Sequence, residues 1–507
     1  MKIFILHHHL NTGGVTQVIH SQVKSLQLLK DKVEIKLILG EKPEKIPTGL
    51  KKKDVYVHPS LAYWDSGMSF SQVQKEKREM GQYLRSLLSE SSILHVHNLT
   101  LGKNPLLVVV VNELIREGYK VLSHCHDFAE DGRPTNYKNL KRVVEGCFGI
   151  PLAEALYPQM SNCFYGVLNS RDQSLLIQSR LERSQVNLLL NPVHSLAFEK
   201  EENEKTKASI LFQLGLKEDK PYFLYPVRGI RRKNIGELVL LAALFKGEAS
   251  WVQSQAPKNK LEQPNFKHWK LFSEKWKLPI AWGAGEKVEF KELVQNAFKI
   301  VSTSVVEGFG MTYLEPWING KSLVGRNIAP ITKDFKQLGV KLDLYPSLKI
   351  PLSWVKNKKG LVKEYLTYIQ SAYSDFNLKV PSDLKELLNK DKFEEDSIDF
   401  AVLNKENQMQ VIERVSQSER SRKALLQLNQ TGLENVLSPP LQERISFNSK
   451  QIEKHFNLKA YGLGLIKIYK KLNLQKKQKT IKSESIRLQN PMASAFLHPQ
   501  NFYLLRK

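Results

Sequence analysis

Two carboxylates, Glu307 and Glu315, stand eight positions apart in Val305-Val306-Glu307-Gly308-Phe309-Gly310-Met311-Thr312-Tyr313-Leu314-Glu315-Pro316. The first ends an apolar run, residues 300–306, that reads as a buried parallel strand. Gly308 and Gly310 then supply a turn free of side chains, and the stretch from Met311 to Trp317 is expected to begin a helix. One acid would sit in the loop above the strand's carboxyl end and the other in the helix's first turns. Ligands of open α/β sheets bind in that crevice. Two acceptors with helix N-terminal amides between them suit a molecule with hydroxyls at both ends and anions in the middle. A nucleotide diphospho-sugar is such a molecule. The plainer alternative is a capped helix with one solvated carboxylate.

Other residues could act on the same kind of ligand. Asn11-Thr12-Gly13-Gly14-Val15 directly follows the first expected strand. Its two glycines let the backbone approach an anion beside a helix N-terminus, although they are not the three-glycine dinucleotide fingerprint. His7, His8 and His9 precede that loop. Neighbours in a strand point to opposite faces, so the run is not expected to hold a metal. At the end of the fifth strand comes Ser123-His124-Cys125-His126-Asp127-Phe128. His126 there can hydrogen-bond a sugar hydroxyl or orient an acceptor, or simply cap the strand. Asp127, with Arg133 and Asn136 from the polar loop 130–137, is expected on the acceptor side. His95 and His97 end the fourth strand, in the cleft or in the core. Finally, Tyr225-Pro226-Val227-Arg228-Gly229-Ile230-Arg231-Arg232-Lys233-Asn234 offers cations for a departing diphosphate. Fixed positive charge lowers such a barrier more than it stabilises the ground state.

Glu307-Gly-Phe-Gly followed by Glu315-Pro resembles the paired-glutamate signature of retaining GT-B glycosyltransferases of the family-four, or group 1, type. The resemblance implies an α/β GT-B fold, two Rossmann-like doubly wound domains facing a central cleft. It implies that Gly13 and Gly14 lie beside the donor diphosphate and that His126 lies near the reacting sugar. Arg228 and Lys233, five residues apart, match the family's diphosphate pair, with Arg231 and Arg232 solvated or in alternative phosphate contacts. Glu307 would contact the donor sugar and Glu315 the ribose hydroxyls, with backbone amides around Phe309, Gly310 and Met311 meeting the phosphates. No cofactor and no metal ion are expected, since no Asp-x-Asp motif occupies a comparable loop. The resemblance covers the first two hundred residues, the opening of the second domain and residues 290–330. It does not cover 246–279 or 331–404, so the donor stays undefined.

The elements that must hold these residues alternate. Strands are expected at Lys2-His8, Val33-Leu39, Val55-His58, Ile93-His97 and Val121-His126, with helices at Thr16-Leu29, Phe70-Leu88 and Pro105-Glu117. Further on, Tyr222-Pro226 and Ile235-Leu244 restart the alternation, and one helical stretch is expected over Ser449-Leu472. The expected domains are 1–198, acceptor-side; a charged linker, 199–207; and 208–472, nucleotide-sugar-binding, with an insertion around 331–404. A basic extension, 473–507, can pack back on the first domain.

At 507 residues the chain exceeds one ordinary core. Three cysteines, Cys125, Cys147 and Cys163, form neither a disulfide framework nor a metal spacing. No cleavable leader and no apolar run of about 20 residues are evident, and a cytoplasmic setting is expected. The net charge is +25, and residues 440–507 carry 14 Lys/Arg against three acids, densest at Lys467, Lys470, Lys471, Lys476, Lys477 and Lys479. That suits peripheral contact with an anionic membrane, or only a solvated helix face. Nucleic acid is not expected, since no basic-aromatic module accompanies the lysines.

The leading expectation is therefore transfer of a hexose from a nucleotide diphospho-sugar to a hydroxyl acceptor with anomeric configuration kept. The acceptor could be a glycolipid, a polysaccharide or a small-solute precursor. A GT-B sugar-nucleotide epimerase, a sugar phosphorylase and a non-catalytic basic scaffold that binds membrane or nucleic acid are the alternatives. A two-carboxylate hydrolase is disfavoured because both acids belong to one strand-helix unit.

Overall fold

A computed structural model describes residues 1–29, 31, 33–65, 67–196, 206–393, 396–475 and 491–506. Contacts divide the chain into two compact units. The first comprises Met1–Pro192, Ala372–Lys379 and Phe456–His498, and the second Val193–Ser371, Val380–His455 and Pro499–Lys507.

Seven parallel strands make the first unit's sheet: β1 (Lys2–His7), β2 (Glu34–Leu39), β3 (Val55–Val57), β4 (Ser92–His97), β5 (Lys120–Cys125), β6 (Cys163–Val167) and β7 (Val186–Leu188). Their order is β3-β2-β1-β4-β5-β6-β7. The strand order reverses at β1, which lies between β2 and β4, so the loops after β1 and β4 flank the crevice where open α/β sheets take ligands. Apolar runs such as Ile3-Phe4-Ile5-Leu6 are buried throughout, as strands covered on both faces must be. The helix Gly14–Gln27 turns Val18, Ile19, Val23 and Leu26 onto this sheet. Helix Pro105–Glu117 is capped by Asn104, whose side chain accepts from the amides of Leu106 and Leu107.

A late segment completes the first unit. The single helix expected over 449–472 is two, Gln442–His455 and Leu458–Asn473. Asn457 breaks it with an extended backbone, its side chain accepting from Ala460 N at 2.8 Å, so a cap replaces a helical turn. The second of these helices lies against Gly14–Gln27, where a Cβ on Gly462 would stand 2.8 Å from the Ser25 carbonyl oxygen. Leu465, Tyr469 and Leu472 join the cluster of Ile3, Ile5, Val23 and Leu26. Of the described residues, 456–475 and 491–498 thus group with the first unit, whereas the expected second domain ran to 472.

The second unit holds a five-stranded parallel sheet: β8 (Tyr222–Arg228), β9 (Ser250–Gln255), β10 (Ile280–Trp282), β11 (Lys299–Ser302) and β12 (Leu323–Gly325). The order is β10-β9-β8-β11-β12. Residues 246–279, which the sequence pattern leaves unplaced, contain β9 and the helix Gln263–Lys275. Trp251 of β9 is fully buried and stacks on Phe223 at 4.6 Å. Within 331–404, β13 (Lys349–Pro351) and β14 (Ser397–Asp399) pair antiparallel, with helices Lys358–Asp375 and Leu384–Lys392 between them. Of the expected linker, residues 199–205 lie outside the described residues, as do Lys476, Lys477 and Lys479. Thr206 caps a helix, Lys207–Gln213. Among the described residues, no helix is long and apolar enough to cross a membrane.

Candidate functional site

In the second unit the site is a loop edge built by β8 and β11. After β8, a 3-10 turn, Arg231–Lys233, ends at Asn234 in the left-handed region (φ 48°), a conformation asparagine tolerates better than most residues. The turn is clamped from beneath. The Lys233 carbonyl accepts from the Tyr225 hydroxyl at 2.8 Å and from Thr303 Oγ1 at 2.9 Å. Ser304 Oγ meets the same tyrosine hydroxyl at 2.9 Å. The expected strand over 300–306 ends at Ser302, because Thr303 and Ser304 turn their polar groups to this clamp instead of a ladder.

Glu307 is the hub. Its carboxylate takes the Lys233 ammonium on Oε1 and Arg232 Nη1 on Oε2 at 2.8 Å. Arg232 also donates to the Val306 carbonyl at 3.1 Å. Burial opposes ionisation of Glu307, but Lys233, Arg232 and Ser304 outweigh it and hold the carboxyl at about 2. Burial also pulls the Lys233 ammonium below its ordinary range, with Glu307 working against the fall and Arg232 adding to it. The two directions are consistent: the carboxylate has two cations, whereas the lysine has one anion and a like-charged neighbour.

Of the expected diphosphate pair, Lys233 reaches Glu307 and Arg228 does not. Arg228 is the exposed last residue of β8, just past a register shift, and its guanidinium forms no ion pair among the described residues. Arg232, expected to be solvated or in alternative phosphate contacts, is the second cation on Glu307. Arg231 turns away to Glu262, its amide donating at 2.9 Å.

The helix expected from Met311 is also different. Met311–Tyr313 is a 3-10 turn, and Glu315–Ile318 a single helical turn with Pro316 near its start. Gly310 sits at φ 89°, where a Cβ would stand 2.9 Å from Ile331 Cγ2, so the chain bends before it can coil. Four residues carry little macrodipole, and any anion held here meets turn amides. Phe309 is buried edge-on to Phe335, and Met311 is half-buried. Burial raises the Glu315 carboxyl, and no cation among the described residues offsets it.

Beneath the turn lies a second buried charge network. Asn234 Nδ2 donates to Glu237 at 2.8 Å, and Arg326 bridges Glu237 (Nε to Oε1, 3.1 Å) and Asp399 (Nη1 to Oδ2, 2.6 Å). The Tyr345 hydroxyl donates to Glu237 at 2.9 Å. The inserted strand β14 is thereby tied, through Asp399, to the residue that follows Lys233. Replacing Arg326 by Met leaves Glu237 as an uncompensated buried carboxylate. A loss of about 3–5 kcal/mol is expected, read as a fall in the urea midpoint of the second unit. A cavity of about 570 Å³ borders Arg231, Asn234 and Trp269 but neither Lys233 nor either glutamate, so it lies behind the charged edge.

In the first unit, Gly13 caps Gly14–Gln27 with extended backbone and, having no side chain, makes no side-chain bond to the first-turn amides. Asp127, Arg133 and Asn136 are engaged within their own loops. Asp127 pairs with Arg133 at 2.6 Å and accepts through its backbone oxygen from Thr100, while Asn136 donates to the Leu101 carbonyl at 2.9 Å. His126, by contrast, joins a histidine cluster. His97 Nδ1 lies 2.9 Å from His126 Nε2, and His95 Nε2 lies 3.2 Å from His124 Nδ1. Gln22 and Tyr469 close the cluster from below: His97 Nε2 is 2.8 Å from Gln22 Oε1, and His95 Nδ1 is 2.6 Å from the Tyr469 hydroxyl. Burial pushes His126 down to about 4 and His95 to about 3, with His97 and His124 well below the ordinary imidazole value. Ring nitrogens of His95, His97 and His124 all lie within 4.8 Å of one another, but each ring already engages another ring or Gln22.

Sequence reasoning passed over Gln22, Tyr469 and the Asp399–Arg326–Glu237 network. Only a polar residue inside an apolar helical stripe signals the first two, and they are 447 positions apart.

No protein-family model matches the sequence. A mannosylglucosyl-3-phosphoglycerate synthase from Petrotoga mobilis is 28% identical over 423 residues, 79% of each chain. Among solved structures, a glycosyltransferase from Rickettsia africae matches with a TM-score of 0.52 at 14% identity, over 94% of this chain and 99% of that one. Anabaena Alr3699/HepE in complex with UDP and glucose matches at 0.50 and 11%, over 92% and 98%. The two parallel sheets are those of the GT-B fold, and the chain is a glycosyltransferase. Within that class its Glu307/Glu315 pattern is similar to that of the group 1 type.

Proposed function

We propose that the enzyme moves a hexose from a nucleotide diphospho-sugar to a hydroxyl of a small phosphorylated glycoside, with retention at the anomeric carbon. The observation that carries this reading is the buried carboxylate Glu307 held between Lys233 and Arg232. A diphosphate gains negative charge as the bond from C1 to its oxygen breaks, and two cations gathered on one carboxylate at this loop edge suit stabilising that charge. The acceptor oxygen forms the new bond to C1 on the same face, and its proton passes to the departing phosphate oxygen. Glu307 is a poor covalent nucleophile, since two cations hold its lone pairs. Lys233 and Arg232 supply the positive charge, so transfer proceeds in the presence of EDTA. The Petrotoga relative's product, a glycosylated phosphoglycerate, supports an anionic small acceptor, as does the net charge of +25. The UDP complex of the Anabaena protein supports a nucleotide diphosphate donor.

A thermal-shift screen against nucleotide sugars tests the donor, since a ligand at 100 times its Kd adds about 2.7 kcal/mol to the native state. Incubating the hit with glucosyl-3-phosphoglycerate and following the product's anomeric proton by NMR tests the rest. An inverted product, or free sugar released at the same rate with and without acceptor, refutes the reading.

A further inference from the structure

We infer that Gln22 sets, through His97, the tautomer of His126, so that Nε2 carries the proton and Nδ1 is left as the nitrogen that receives a ligand's hydrogen bond. The inference rests on His126 being a site residue, but the tautomer itself can be read without any activity.

The argument is one of donors and acceptors in a dry site. The Gln22 side-chain amide reaches upward with both its atoms. Nε2 donates to the Tyr469 hydroxyl oxygen at 2.9 Å and faces His95 Nδ1 at 2.8 Å. Oε1 faces His97 Nε2 at 2.8 Å. An amide oxygen can only accept, so His97 must hold its proton on Nε2. A neutral imidazole has one donor and one acceptor, so His97 Nδ1 carries a lone pair. The nitrogen 2.9 Å away, His126 Nε2, must then be the donor. His126 keeps only Nδ1 for any other partner.

A second line of bonds starts from the same amide. The Tyr469 hydroxyl donates to His95 Nδ1 at 2.6 Å, which leaves His95 Nε2 to donate to His124 Nδ1 at 3.2 Å. His95, His97 and His124 are almost fully buried, and burial holds each in the neutral form that this accounting requires. One amide therefore orients two lines of imidazoles, one of which ends at the expected site residue.

The chemical consequence is selectivity for what His126 can hold. An unprotonated Nδ1 accepts from a hydroxyl and gives nothing to a phosphate or carboxylate. Gln22 is a positioning residue, since it acts through His97.

The test is long-range proton–nitrogen NMR of the full-length protein labelled with 15N-histidine at neutral pH, with His126→Asn used to assign the His126 signals. The expected spectrum shows His97 and His126 protonated on Nε2 and bare on Nδ1. In Gln22→Met the His126 signals shift toward a tautomer mixture. In Tyr469→Phe the His95 and His124 signals change while those of His126 stay. With substrates, Gln22→Met lowers kcat about 10- to 100-fold at unchanged KM for the donor. His126 protonated on Nδ1 in the unsubstituted protein overturns the inference, as does a folded Gln22→Met protein with an unaltered His126 spectrum. Both outcomes are readable if the chain transfers no sugar, so failure of the functional reading stays distinct.

Discussion

Replacing Glu307 by glutamine is expected to lower kcat by about two to three orders of magnitude while leaving affinity for a nucleotide diphosphate unchanged or tighter. The reason is the double duty of that carboxylate. In the free enzyme it neutralises Lys233 and Arg232, so a diphosphate must compete with it for both cations. Glutamine keeps the size and one acceptor oxygen but removes the competing charge. Lys233, 8% exposed, is then a buried ammonium beside Arg232 with no anion, at a cost of about 3–5 kcal/mol. Binding of a nucleotide diphosphate restores the anion and should recover much of that loss. Calorimetric Kd values and thermal midpoints with and without nucleotide, set against single-turnover rates, check all three parts. Weaker binding at an unchanged rate would assign Glu307 to ground-state recognition only.

Acid is expected to unfold the first unit well before the second. His7, His8, His95, His97, His124 and His126 are all held below the ordinary imidazole value, chiefly by burial. The sign follows from the folded values lying below the unfolded one, near 6.5. The stability from neutral imidazoles is complete above pH 6.5 and is lost as pH falls toward the folded values, about 4 for His8 and His126 and about 3 for His95. Asp172 works the other way: burial raises it to about 6, so the native state gains one proton as pH falls. Around the cluster, Asp127 favours protonation of His126, while Glu41 and Lys103 act in opposite senses on His8. The lowered imidazoles, His20 among them, outnumber the one raised carboxyl, so the unfolded state binds several more protons across this window, each worth about 1.4 kcal/mol per pH unit. A unit stable by about 5–15 kcal/mol loses that within one to two pH units. Glu307, at about 2, keeps its charge over the same window. Pulse-labelled hydrogen exchange after incubation between pH 7 and 4 should show peptides of residues 1–192 losing protection first. His124→Asn should move that midpoint downward. Simultaneous loss in both units would show that the cluster does not control acid stability.

Much of this arrangement is legible in the sequence because its causes are local. Apolar runs such as residues 2–7 can only be buried strands, and Asn104-Pro105 announces a helix start, so the first sheet follows from alternation. The paired glutamates are legible for the same reason, being held by one short loop. Other features depend on partners far away in the chain. Arg232 and Arg228 are both arginines near a strand end, and only the register shift in β8 and the backbone bond from Val305 to Arg232 decide which meets Glu307. The helix expected after Gly310 fails because Pro316 and the positive φ of Gly310 outweigh the propensity of the residues between. β9 escapes notice because Trp251, Gln253 and Ser254 all point into packed or bonded surroundings, which blurs any alternation. For the Gln22–Tyr469 contact, a polar residue in each apolar stripe marks the two ends, but nothing local pairs them across 447 positions.

That contact also has a consequence in time. The helix Leu458–Asn473 seals the face of Gly14–Gln27, yet more than 260 residues separate it from the end of the first unit's main segment at Pro192. At about 5–20 residues per second, a ribosome needs roughly 13–50 s to deliver it. For that interval the amide of Gln22 and the backbone at Ser25 lack the helix that covers them, and the histidine line through Tyr469 cannot acquire its polarity. The first unit to emerge thus waits for a segment made near the end of the chain, and its open face is where a chaperone would be needed during synthesis.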